Sequence, residues 1–215
     1  VMTEKLEGNG VASDMPEEGV PRSAADVAVV QSWFKQVGFS LDGEKAYENA
    51  YSDDQLIAMA NAGDVIAFDA LSKRYLYRGE TDKAFEYAER SIVYGSLNGI
   101  AMMSIRDTPI LHEDDSFEVR QEAKDMFKQK LAYLELMRLR GAGKLYAVHV
   151  DTKVVMDNFK VIYGEENPLS GTDYEEISAN AKRLYDGYQE ERHRLGLGDF
   201  DNELPEEVEA FLSGR

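Results

Sequence analysis

The chain has no cysteine, and this excludes disulfide cross-links, thiolate catalysis and cysteine-ligated zinc. It has no run approaching the roughly 18 apolar residues of a membrane-spanning helix, so membrane insertion is not expected. Its first residues also lack the basic, apolar pattern of a signal peptide. Positive charge is scarce: 24 Lys and Arg stand against 41 Asp and Glu, for a formal net charge of −17 and a pI near 4.6. A field of that sign repels phosphates and anionic headgroups, which argues against nucleic acid as a partner. The densest basic stretch, Arg138-Leu139-Arg140 with Lys144 beyond, reads as the polar end of a helix. A charged partner should therefore be basic, while the plainer reading of the acid is a solubility coat.

Apolar material is ample. Hydrophobic residues make up 43% and aromatics 10%, including twelve Tyr and nine Phe, enough to offset the ordering entropy of a compact fold. A chain of 215 residues favours one core over several. Residues 1–22 carry Gly, Glu, Asp, Ser and Pro with few large apolar side chains, and are expected to be a flexible leader. A helical domain is expected over 23–198, followed by a tail with a short terminal helix over 199–215. Ser23 is placed to cap a first helix in which Val27, Val30, Trp33, Phe34 and Val37 recur at helical spacing before Gly38.

The segment from Tyr51 to Tyr94 carries the clearest pattern. Ser52 caps a helix with Leu56, Ile57, Met59 and Ala60. Gly63 ends it, and Asp64 caps the next, which carries Ala67, Ala70, Leu71 and Tyr75 and stops at Gly79. After Glu80-Thr81-Asp82, a further helix presents Ala84, Phe85, Tyr87, Ala88 and Ile92 before Gly95-Ser96. The run Gly63-Asp64, Ala67, Leu71, Ser72, Tyr75, Gly79, Lys83-Ala84, Tyr87, Arg90, Ser91 and Gly95 resembles a Sel1 repeat, the relative of the TPR in which small residues sit where paired helices touch. Its loop is shorter than the usual Sel1 turn, which gives a TPR-like period. Ala67 and Ala84 are expected to let two antiparallel helices approach closely, with Leu71 and Tyr75 filling the seam. The resemblance implies an all-α fold: an α-α superhelix of Sel1/TPR-like hairpins with additional C-terminal helices, built for protein or peptide contacts. It transfers no catalytic residue.

Beyond Pro109 and an acidic insert, a long helix is expected from Phe117 to about Arg140, with Val119, Ala123, Met126, Phe127, Leu131, Leu134 and Met137 spaced for burial. Gly141-Ala142-Gly143 breaks it, and another helix is expected from about Lys144 to Tyr163. Thr172 with Glu175 reads as a capping box for a helix through Ile177, Ala181, Leu184, Tyr185 and Tyr188. The end of that helix, Glu190 to Arg194, reads as solvated, and the stretch from Gly196 to Glu203 as polar. Pro205 opens a last helix with Val208, Phe211 and Leu212.

Chemistry-bearing constellations are few. The three histidines, His112, His149 and His193, lie far apart in sequence, and the spacing of a helical zinc site is absent. His112-Glu113-Asp114-Asp115 offers hard oxygen ligands but lacks the alternating acids and central glycine of a calcium loop. No metal site and no cofactor is expected, and no catalytic residue is assigned. The rings that fall off the apolar stripe, Tyr77 and Tyr94, together with Glu80, are the candidate partner-binding residues. They point to a bacterial adaptor whose groove, bordered by Glu and Asp, captures a protein or a basic peptide. Two other classes remain open: an acidic inhibitor of immunity type that neutralises a basic enzyme, and an enzyme with a carboxylate site assembled from distant helices. Compartment is left open, with the periplasm preferred to the cytoplasm, in which case an upstream segment removed before Val1 is expected.

Overall fold

The computed structural model describes residues 23–39, 41–106, 115–143 and 169–213, and these contain nine helices and no strand. They are α1 (Ala24–Gln36), α2 (Leu41–Ala50), α3 (Asp53–Asn61), α4 (Val65–Tyr77), α5 (Thr81–Val93), α6 (Leu97–Ser104), α7 (Phe117–Leu139), α8 (Gly171–Arg194) and α9 (Glu206–Leu212). The chain is all-helical over the described residues, as its periodicity implies. The helix expected over 144–163, the leader and residues 112–114 of the acidic insert lie outside them, while Ser116 at the insert's end caps α7.

Local signals set most boundaries. Ser23 accepts from Asp26 N, and the Asp26 side chain accepts from Ser23 N, a reciprocal cap that fixes the start of α1. Ser52 with Gln55 does the same for α3. α8 starts differently from expectation: its reciprocal cap is Ser170 with Asp173, two residues before the Thr172–Glu175 pair. Asp173 is the better partner because its carboxylate also reaches Lys124 on α7, at 2.9 Å.

Three turns repeat one geometry. Gly63, Gly79 and Gly95 all have positive φ, and each lets the next amide bond back into the helix just ended: Asp64 N to Met59 O, Glu80 N to Tyr75 O, Ser96 N to Ser91 O. The residue after the glycine then opens the following helix, with Asp64 accepting from Ala67 N and Ser96 from Gly99 N. Each link is only three residues long, so α3 to α6 must fold as successive antiparallel neighbours.

Their packing follows. α4 contacts α2, α3 and α5, and Ile66 to Ser72 are buried without interruption along it, as befits a helix enclosed on several sides. Leu56, Ala60, Ala67, Phe68, Leu71, Tyr75 and Ala84 share one core. The expected close approach occurs: Ala67 and Ala84 are both fully buried in this core, and the Ser72 hydroxyl donates to the Ala84 carbonyl at 2.7 Å. Ala67 lies five residues up α4 from Ser72, about 7.5 Å along the axis.

A second core joins α5 to α8 through Ile92, Leu97, Ile100, Tyr133, Leu136, Met137, Tyr188 and Phe200. A third joins α7 to α8 through Phe127, Leu131, Ile177 and Ala181. Val119 and Met126, expected in the core, are exposed, because α7 buries only one side over its first turns. α2 was not anticipated: its sequence contains Gly43 and few apolar residues, and it is held from outside. There Arg74 donates to the Glu48 and Tyr51 carbonyls, and Tyr47 to Asp64. Finally α9 packs on α1, with Phe34 and Phe211 meeting edge to face at 5.8 Å. Helices from the two ends of the described chain are thus in contact.

Candidate functional site

The α4–α5 hairpin carries a continuous aromatic strip. Tyr94 stacks on Phe68 at 5.1 Å, Phe68 touches Tyr87 at 6.4 Å, and Tyr87 stacks on Tyr75 at 5.5 Å and 14°. Cations lie over these rings: Arg90 over Phe68 and Tyr87 at 5.2 and 5.4 Å, Lys83 over Tyr75 at 5.1 Å, Arg78 over Tyr75 at 5.8 Å. Lys83, Tyr87, Arg90 and Tyr94 are spaced four, three and four apart, so α5 presents them on one face. Arg90 reaches across to α3, donating to Asn61 at 3.0 Å.

The strip's titratable groups are held in their ordinary charge states near neutrality. Burial, and then the neighbouring Tyr75, push the Tyr87 phenol up, so it stays protonated near neutrality. Lys83 is held charged by Glu80, whose carboxylate it meets at 2.5 Å. Asp53 grips both Arg74 and Arg78 at 2.5 Å, and its carboxyl is lowered first by the Arg78 bond and then by Arg74. The Asp53 pairs tie α3 to α4 beside the strip.

Of the sequence-derived candidates, Glu80 and Tyr94 fall at the two ends of this strip, about 20 Å apart along α5 at about 1.5 Å per residue. Tyr94 is half-buried against Phe68. Tyr77 is 76% exposed, and two positions from Tyr75 it faces about 200° away around α4, off the strip. The structure therefore joins Glu80 and Tyr94 through Tyr75, Tyr87 and Phe68, and leaves Tyr77 apart.

Two further features escaped the sequence reading. A groove of about 460 Å³ runs between α7 and α8, lined by Leu131, Leu134, Glu135, Arg138, Tyr174 and Ile177. At the far end of the same helices, Arg140 and Arg192 lie over the ring of Phe200 at 3.7 and 4.5 Å. This corrects three expectations: Arg140 is buried, Arg192 is tied into the fold, and the stretch from Gly196 to Glu203 contributes a core residue. The lone Phe200 in a polar stretch was the available signal. Among the described residues no group of three or more His, Asp or Glu is arranged to hold a metal ion, and no helix is long and apolar enough to cross a membrane. No family model, no curated protein and no solved structure matches the chain.

Proposed function

We propose that the chain is a non-enzymatic interaction module, a short α-α superhelical array of Sel1/TPR-like hairpins that captures a protein or peptide partner. The carrying observation is the union of three equivalent glycine turns with an aromatic strip that crosses the resulting scaffold from Glu80 to Tyr94. Tyr87 and Tyr94, half-buried and held by stacking on the buried Tyr75 and Phe68, lose little entropy on binding, which suits them to a contact surface. A partner of basic character fits the net charge of −17, although the strip itself carries Lys83, Arg78 and Arg90.

Titration of labelled basic and neutral peptide libraries against the intact chain tests this. Glu80→Ala and Tyr94→Ala should each weaken the selected peptide by about tenfold, the loss typical of a contributing contact residue. Tyr77→Ala decides whether the surface extends around α4. Unchanged affinity in the first two variants removes the strip as the binding surface. The same charge supports a second reading, an acidic inhibitor of a basic enzyme, which requires association to collapse between low and high salt. Salt-independent binding argues against it.

A further inference from the structure

Arg140 is 5% exposed, and its guanidinium lies 3.7 Å from the Phe200 ring centroid. Its Nε donates to Asn202 Oδ1 at 2.9 Å. Its buried Nη1 has no hydrogen-bond partner. A buried donor left unmade costs about 1–3 kcal/mol, and more when charged; buried charges are ordinarily paired. The neighbouring cation adds to the burden. Arg192 lies over the same ring, and it directs its own donors to the carbonyls of Val93, Gly198, Leu197 and Asp199. Burial first and Arg192 second push Arg140 down to about 10, still charged at neutrality.

Nearby carboxylates act on these arginines without bonding to them: Asp201 favours the charged form of Arg140 and Asp199 that of Arg192. Asp199 Oδ1 meets His193 Nε2 at 2.6 Å and accepts from Gln189 at 2.8 Å. Asp201 Oδ1 accepts from Glu203 N at 3.1 Å. In a chain with 41 acids, the described residues pair neither guanidinium with a carboxylate. Tyr185 adds a donor: its hydroxyl oxygen accepts from Asn202 Nδ2 at 2.8 Å, which leaves its O–H to give.

We propose that Arg140, with Arg192 and Tyr185 nearby, forms a site for a small oxyanion, a carboxylate or a phosphate group, that accepts from the unpartnered Nη1 and offsets the buried guanidinium charge. The planar fork of arginine matches both groups. The opposing field of the whole chain is screened beyond about 8 Å at physiological salt, so the local pair decides. This site is separate from the strip on α5 and does not rest on the adaptor reading.

Thermal unfolding of the intact chain at pH 7, in sodium chloride, acetate or phosphate at matched ionic strength, is the test. A saturable rise in Tm of about 5 °C over chloride is expected at a hundredfold excess over the dissociation constant. A rise with acetate alone identifies a carboxylate group, and with phosphate alone a phosphoryl group. Arg140→Met should abolish the rise. Equal Tm in all three salts, as expected if a water fills the place, overturns the proposal, as does an undiminished rise in the Met variant. If that variant does not fold, calorimetric titration of wild type and Arg140→Lys with the oxyanion that gave the rise decides: Lys keeps the charge without the fork and should bind about tenfold more weakly, and equal binding overturns the site.

Discussion

The α3–α6 array and the α7–α9 region are both helical and both closed by glycine turns, yet they are held together by different means. In the array the polar contacts stay within the array itself, from Ser72 with Ala84, 12 residues apart, to Arg90 with Asn61, 29 apart. In the C-terminal region the contacts reach across the chain: Arg192 to Val93, Tyr188 to Glu89, Arg140 to Asn202. Local turns build the first region. Long-range clamps, made largely by arginine, close the second.

Two glycines with the same φ of 75° separate the regimes. A Cβ at Gly79 meets nothing within 4 Å, whereas one at Gly141 would lie 1.9 Å from the Asn202 carbonyl oxygen. Gly79→Ala should cost only the left-handed strain, roughly 1 kcal/mol. Gly141→Ala adds a backbone clash and should cost about 3 kcal/mol or more. Urea unfolding of the two variants checks this, and equal losses would erase the distinction.

The uneven legibility of the sequence has the same origin. Ser23, Ser52, Asp64, Gly63, Gly79 and Gly95 announce their helices because a cap acts within four residues of itself. The core positions of α3 to α5 follow from spacing for the same reason. Ser72 facing Ala84 was harder to read, since register depends on how the turn tilts the second helix. Arg140 was the hardest to read: it looks like the basic end of a helix, and the phenylalanine that covers it, Phe200, lies on a segment distant in sequence. Glu80 and Tyr94 were legible as surface residues, but the rings joining them came only with the hairpin.

Within the array, Ala84→Leu should cost about 2 kcal/mol by overpacking, since Ala84 has no exposed surface and its carbonyl holds Ser72. A loss near zero would mean that α4 and α5 have room to part, against the close approach described above. Tm and urea midpoints read it directly.

The smallest effect concerns the α7–α8 ion pairs. Burial raises the Asp173 carboxyl, but bonds from the Lys124 ammonium and from the Ser170 amide and hydroxyl outweigh it and hold the group well below the ordinary carboxylate range. Lys128 lies 3.6 Å from its other oxygen. The folded state thus binds its proton less readily than the unfolded chain. The resulting stability is present above the unfolded value of 3.8 and is lost as pH falls through the folded value. Asp173→Asn should flatten the fall in stability below pH 3.8. A wild-type slope in the variant would show that other acids govern acid unfolding.

Native-state hydrogen exchange on Gly141→Ala tests the two-part assembly most directly. The amides of α4 and α5 facing Leu56, Phe68 and Ala84 should keep their wild-type protection, while those at the C-terminal ends of α7 and α8 lose theirs. Equal loss of protection in both regions would contradict it.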